Sequence, residues 1–125
     1  MFSNKFGIEI EFTGITRDKA ANIVAEYLDG TIDLTYDHYD THQIKAPDGR
    51  IWKCMYDGSI LCQQRTGGRI TPSTTERSVE LVSPILLYYQ DINILQGLVR
   101  TLRKAGGFAN STCGIHIHLD GSNHT

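Results

Sequence analysis

Apolar and polar residues alternate without a break from Phe6 to Phe12. An extended chain there sends Ile8, Ile10 and Phe12 to one face and Gly7, Glu9 and Glu11 to the other. The same period returns between Cys113 and Asp120, with Ile115, Ile117 and Leu119 opposite His116, His118 and Asp120. Two strands are predicted, each backed by an apolar side. If both lie in one sheet, acids and imidazoles meet on one surface above a shared apolar underside.

Between them the period changes twice. Ala20, Ile23, Val24, Tyr27 and Leu28 form a helical stripe, which predicts a helix from about Arg17 to Asp29. Thr16 or Asp18 can cap it, and Gly30 stands where a left-handed C-cap is expected. From Thr31 to Ile85 the signal is β with turns. Thr31 to Tyr36 alternates weakly, and His42 to Ala46 and Arg50 to Tyr56 flank Pro47-Asp48-Gly49 as a hairpin. Asp57-Gly58 is a further turn, followed by a short strand from Ser59 to Gln64. Thr66-Gly67-Gly68-Arg69 reads as a flexible loop continuing to Thr75, and Arg77 to Val82 as a strand stopped by Ser83-Pro84. Asp91 then caps a second amphipathic helix with the stripe Ile92, Leu95, Leu98, Val99 and Leu102. Its basic end, Arg100, Arg103 and Lys104, precedes Gly106-Gly107. The order β-α-(β meander)-α-β predicts an α+β domain, a mainly antiparallel sheet with two helices on one face and the polar residues on the other.

At 125 residues the chain is one domain or part of one, able to bury a single core. A net charge of −2 argues against a nucleic-acid partner held by bulk positive charge, and means that a polyphosphate near the acids needs cations. Cys54, Cys62 and Cys113 are odd in number and form no C-x-x-C, and Lys5, Glu9 and Glu11 interrupt any signal-like start. A reduced, cytoplasmic setting is expected. No apolar run approaches the ~20 residues that span a bilayer, so no membrane association is expected.

Each candidate residue has a plain structural explanation. Acids alternating on a strand, such as Glu9 and Glu11 or the lone Glu80 between Val79 and Leu81, ordinarily mark a wet face. Asp57-Gly58-Ser59 is by default a tight turn. His38, His42 and His124 have no partner spacing and are expected at the surface. His116-Ile117-His118 weighs more, because histidine is not a favoured strand former and two on one face can share an ion. Carboxylates and imidazoles without thiolates suit Mg²⁺ or Mn²⁺ with phosphate, with Zn²⁺ still open. The chain has no P-loop, no G-x-S-x-G and no H-E-x-x-H.

Taken together and in order, Phe6-Gly7-Ile8-Glu9-Ile10-Glu11-Phe12, Tyr56-Asp57-Gly58-Ser59, Val79-Glu80-Leu81-Val82-Ser83-Pro84 and Cys113-Gly114-Ile115-His116-Ile117-His118 resemble the amidoligase family. That family is a branch of the carboxylate–amine ligases related to glutamine synthetase and glutamate–cysteine ligase. The resemblance implies a glutamine-synthetase-like catalytic domain, its antiparallel sheet curved around a site for ATP and Mg²⁺ or Mn²⁺. It implies Glu9, Glu11, Glu80 and His116 as metal ligands, with Glu9 facing the ion nearer His116 and Glu11 the ion nearer Glu80. His118 matches a position that approaches the nucleotide phosphates, and Asp57, which matches the family's D-G-S, is expected with it among the cofactor-binding residues. The implied reaction joins a carboxylate to an amine through an acyl phosphate, on amino acid or peptide substrates.

Family members continue beyond the position of Thr125, where another metal ligand and phosphate-holding arginines are expected. Residues 1–125 are therefore expected to be the N-terminal part of a larger catalytic domain, or a shortened relative. Arg65, Arg69 and Arg77 match no motif. An edge left open after the last strand invites pairing with another chain, so a homo-oligomer is among the expectations. Two rivals stand beside the ligase: a metal-dependent hydrolase using the H-x-H and the acids, and a non-catalytic nucleotide- or metal-binding module.

Overall fold

The computed structural model describes residues 4–119. Alternation produces the central strand β1, Lys5–Phe12, and Gly14 at φ +97° turns the chain into α1, Arg17–Leu28. Thr16 is the N-cap and its hydroxyl accepts from the Lys19 N–H at 3.1 Å. Strands β2, Thr31–Leu34, β3, His42–Lys45, and β4, Ile51–Met55, follow as a meander. Next come β5, Gln63–Thr66, β6, Arg69–Pro72, and a 3₁₀ turn at Thr75–Arg77. The chain then forms β7, Val79–Val82, β8, Leu86–Leu87, α2, Tyr88–Lys104, and β9, Ile115–Leu119.

Among the described residues all strand pairs are antiparallel; the main sheet has the order β2-β3-β4-β7-β1, with β9 on the far side of β1, and β5 and β6 form a separate two-stranded sheet. β8 continues β7 along the same flank of β1. Glu9 pairs with Val82 but Phe6 with Leu86, a shift of one register step across Ser83-Pro84-Ile85. Ser83 repairs the gap: its Oγ accepts from the Ile8 N–H at 2.9 Å, and its N–H donates to the Ile8 carbonyl at 2.9 Å.

Both helices cover one face. Ile44, Trp52, Cys54, Val79 and Leu81 of the sheet are buried against Ala20, Ala21 and Val24 of α1 and Leu95, Leu98 and Leu102 of α2. The α+β architecture and the one-sided helices expected from the sequence are therefore present.

Several expectations are corrected. The left-handed residue ending α1 is Asp29, at φ 58°, and not Gly30. An aspartate tolerates that conformation. Gly30 is needed for space, since a Cβ there would lie 2.7 Å from the Lys45 carbonyl oxygen. α2 begins at Tyr88, a turn ahead of its apolar stripe, and Asp91 acts from inside that turn by accepting from the Leu87 N–H at 2.8 Å. The expected loop at Thr66–Arg69 is a two-residue hairpin turn joining β5 to β6, with Gly67 and Gly68 both at positive φ. The strand expected over Ser59 to Gln64 starts only at Gln63, because the Asp57–Ile60 turn occupies its first half. The strand expected from Arg77 begins at Val79, after the 3₁₀ turn.

His42 is buried rather than at the surface. It shares the helix-covered face with Ile44, its Nδ1 lies 2.9 Å from the Asp40 carbonyl, and its Nε2 is 3.8 Å from Asp18. His38 is exposed as expected, whereas His124 and Asp120 lie outside the described residues. The shared apolar underside is also incomplete. Ile115, Ile117 and Leu119 of β9 are each more than half exposed, because the described helices cover the sheet only as far as β1.

Candidate metal centre

Strand register assembles the polar face. Glu11 stands opposite Glu80, Glu9 opposite His116, and Gly7 opposite His118. The parity that sends Ile8, Leu81 and Cys54 into the core therefore sends these side chains to the other side. Asp57 joins them from the turn after β4. Single carboxylate oxygens of Glu11, Asp57 and Glu80 all lie within 4.8 Å of one another.

Each acid is held differently. Glu11, 9% exposed, accepts through Oε1 from the Gly114 N–H at 2.7 Å, while its own N–H donates to the Gly114 carbonyl at 3.0 Å. Its Oε2 is 3.9 Å from His116 Nε2. Glu9 Oε2 is 3.0 Å from His118 Nε2. Glu11 thus sits beside Glu80. The carboxylate nearest His116 is that of Glu11, however, and Glu9 is engaged with His118.

Asp57 is the most firmly positioned. Its Oδ1 accepts from the Ser59 N–H at 2.9 Å and the Ser59 hydroxyl at 2.7 Å. The Ser78 Oγ bridges its backbone, accepting from the Asp57 N–H at 2.9 Å and donating to its carbonyl at 2.6 Å. Ser78 is held in turn by Arg17, whose Nη1 donates to the Ser78 carbonyl at 2.9 Å and to the Thr75 carbonyl at 2.6 Å. The guanidinium stacks 5.4 Å from the centre of the Tyr56 ring, and its Nε reaches Asp40 at 3.1 Å. Arg17 and Ser78 are positioning residues that sequence reasoning missed. The one signal was an arginine opening an amphipathic helix beside its cap, where a cation opposes the dipole unless it is used elsewhere.

The electrostatics of the group are those of crowded anions. Desolvation, then repulsion from Glu9 and Asp57, pushes the Glu80 carboxyl up to about 7 from an ordinary 4.5. Desolvation also raises Glu11, as does its contact with Asp57, against the lowering pull of the Gly114 N–H. Asp57 is lowered, chiefly by the Ser59 hydroxyl. A carboxyl that ionises less readily folded than unfolded makes stability fall as pH rises between the two values. For Glu80 that window runs from about 4.5 to about 7. A carboxyl-carbon NMR titration should therefore show Glu80 with a midpoint near 7, moving down when Mn²⁺ or Mg²⁺ is bound in place of protons. A midpoint below 5 would contradict the crowding described here.

The donor set suits a hard cation: the close trio is all oxygen, and the surrounding charges favour a positive ion. Among the described residues no helix is long and apolar enough to cross a membrane.

The α+β scaffold gathers Glu9, Glu11, Asp57 and Glu80 from three separate stretches of chain on its open sheet face, with His116 and His118 beside them. Residues 3–125 match a family described as a putative amidoligase enzyme, and the chain belongs to that family. It is thereby a member of a ligase-type enzyme family. No curated protein and no solved structure matches the chain.

Proposed function

We propose that the protein is an ATP- and divalent-metal-dependent carboxylate–amine ligase. The observation that carries the reading is the trio of oxygens from Glu11, Asp57 and Glu80 within 4.8 Å, in a chain of the amidoligase family. Glu11, Asp57 and Glu80 would hold Mg²⁺ or Mn²⁺, with Glu9 and His116 adjoining. The bound cation would neutralise the phosphates of ATP and the charge that develops during phosphoryl transfer. An all-oxygen core favours a hard cation over Zn²⁺, and so phosphate chemistry over zinc-type hydrolysis.

The chain's own contributions are positional. Gly114 fixes one oxygen of Glu11 and leaves the other turned toward His116. Ser59 and Ser78 fix Asp57. His118, exposed beside Glu9, is the candidate for contact with nucleotide phosphates. In the proposed reaction a substrate carboxylate takes the γ-phosphoryl group of ATP, leaving ADP. An amine then attacks the acyl phosphate, forming the amide and releasing inorganic phosphate. The substrates are amino acids or peptides.

The test is ADP release with Mg²⁺ over a panel of amino acids and peptides. Release that rises only when a carboxylate and an amine are both supplied, and that is lost in Glu11→Ala, is the expected result. Absence of substrate-stimulated release across the panel, together with unchanged nucleotide binding in Glu11→Ala, would overturn the reading.

A further inference from the structure

On the side of the helices a cavity of about 430 Å³ opens between α2, β1 and the segment leading into β9, with Glu11 of the carboxylate trio among its lining residues. Its walls are mainly apolar, from Leu81, Val99, Leu102 and Ile115 among others. This size lies within the range of small-ligand pockets. A second hollow of about 340 Å³ adjoins it, sharing Arg103, Gly107, Phe108 and Ala109 and adding Arg65. The Arg65 guanidinium stands 4.9 Å from the centre of the Phe108 ring.

Two features separate this cleft from an ordinary gap in packing. Arg65 and Arg103 border the same hollow, and among the described residues neither guanidinium is paired with a carboxylate. Like charges facing one hollow with no acid between them repel, and an anion placed there relieves them. In addition, the end of α2 presents little negative charge to the cleft. The carbonyls of Thr101, Leu102 and Arg103 accept from the N–H groups of Ala105, Gly107 and Gly106 at 3.1, 3.0 and 3.0 Å.

We propose that this cleft binds a small carboxylate with an apolar body, the carboxylate between Arg65 and Arg103 and the body in the pocket walled by Leu81, Val99 and Leu102. Planar guanidinium forks match a carboxylate, and the rest of the lining offers an extended ligand mainly apolar contact. Glu11 of the carboxylate trio borders the apolar pocket but not the hollow that holds Arg65 and Arg103, and the proposal does not depend on the ligase reading.

Decanoate is the probe, titrated into the whole protein by calorimetry and by amide-shift NMR. Saturable one-to-one binding is expected, with shifts centred on Phe108, Val99 and Ile115. Affinity should fall at least tenfold for decanol, which lacks the charge, and for Arg103→Gln and Arg65→Gln, which sit on the surface and should keep the native circular dichroism. Nucleotide binding in the presence of Mg²⁺ should be unchanged in Arg103→Gln, which separates this site from the carboxylate trio. The proposal is overturned by an absence of saturable binding at millimolar decanoate with the fold intact, or by equal affinity in both arginine variants. A dimer in sedimentation that buries Phe108 and excludes the probe would also overturn it, since a second copy would then be the occupant.

Discussion

Replacing Glu80 with glutamine is expected to stabilise the cation-free protein at pH 7–8 and to lower its affinity for Mg²⁺ or Mn²⁺ by about 100-fold or more. The two effects share one cause. Glu80 is held near Glu9, Asp57 and Glu11, and desolvation with their repulsion raises its carboxyl to about 7. Above that value the charged form opposes folding, and glutamine keeps nearly the same shape without the charge. The cation loses one of three converging oxygens. Changes at groups that merely support metal ligands cost about 10–100-fold, so a ligand itself should cost no less. Thermal melting with and without Mn²⁺ reads both effects. The wild type should gain stability on adding the ion, by linkage, while the variant should start higher and gain little. Only well below pH 4.5 should the two cation-free proteins converge, because Glu80 is then protonated in both states of the wild type. A variant that keeps the wild-type response to Mn²⁺ would remove Glu80 from the ligand set.

The largest stability loss is expected at Arg50, far from the site. Its Nη1 and Nη2 grip the Asp91 carboxylate in a fork at 2.8 and 2.9 Å, tying the hairpin of β3 and β4 to the start of α2. Asp91 is nearly buried and also accepts from the Leu87 N–H. Arg50→Met leaves that carboxylate without its cation, a kind of change that costs about 3–5 kcal/mol. Urea unfolding would measure the loss, and adding Asp91→Asn to Arg50→Met should recover much of it by removing the stranded charge. The pH dependence should reverse as well. In the wild type the Arg50 fork lowers the Asp91 carboxyl below its usual 3.8, so this contribution is complete above that value and lost as pH falls through the lower folded one. Without Arg50, burial raises the carboxyl instead, and stability should decline as pH rises. A variant within 1 kcal/mol of wild type at pH 7 would show the fork to be dispensable.

What could be read from the chain followed the alternation. β1, β9, α1 and the β3–β4 hairpin were legible because apolar residues at period two or near four mark a buried side whatever else the residues do. The same parity placed Glu9, Glu11, Glu80, His116 and His118 on one surface. Elements without an apolar stripe escaped. β6, Arg69-Ile70-Thr71-Pro72, is held by backbone pairing and a glycine turn, so no side-chain pattern announces it. The first turn of α2 escaped for a similar reason. Asp57 could be placed among the other acids only by its resemblance to a family motif, because a turn aspartate has many local uses and its meeting with Glu11 depends on Ser78 and Arg17. His42 looked solvent-exposed because a polar residue at a core-facing position is indistinguishable, in sequence, from one at a bend. Even the alternation overreached at β9, since an apolar side predicts a need for cover and not the cover itself.

The central place of β1 has a consequence for how the molecule is made. Its hydrogen bond to Ser83 spans 75 residues of chain, and the contact between Glu9 and His118 spans 109. Such closures sacrifice much chain entropy before they are rewarded, which slows folding. The α1 and β2–β4 unit, whose contacts are mostly local, can assemble early, while β1 waits for β7, β8 and finally β9. The pairing of β1 with β7 also presses Glu9 and Glu11 against Glu80, in a closure whose search is already long. Divalent cations present during refolding should therefore speed that closure, acting as a chaperone for the very strand that carries the acids.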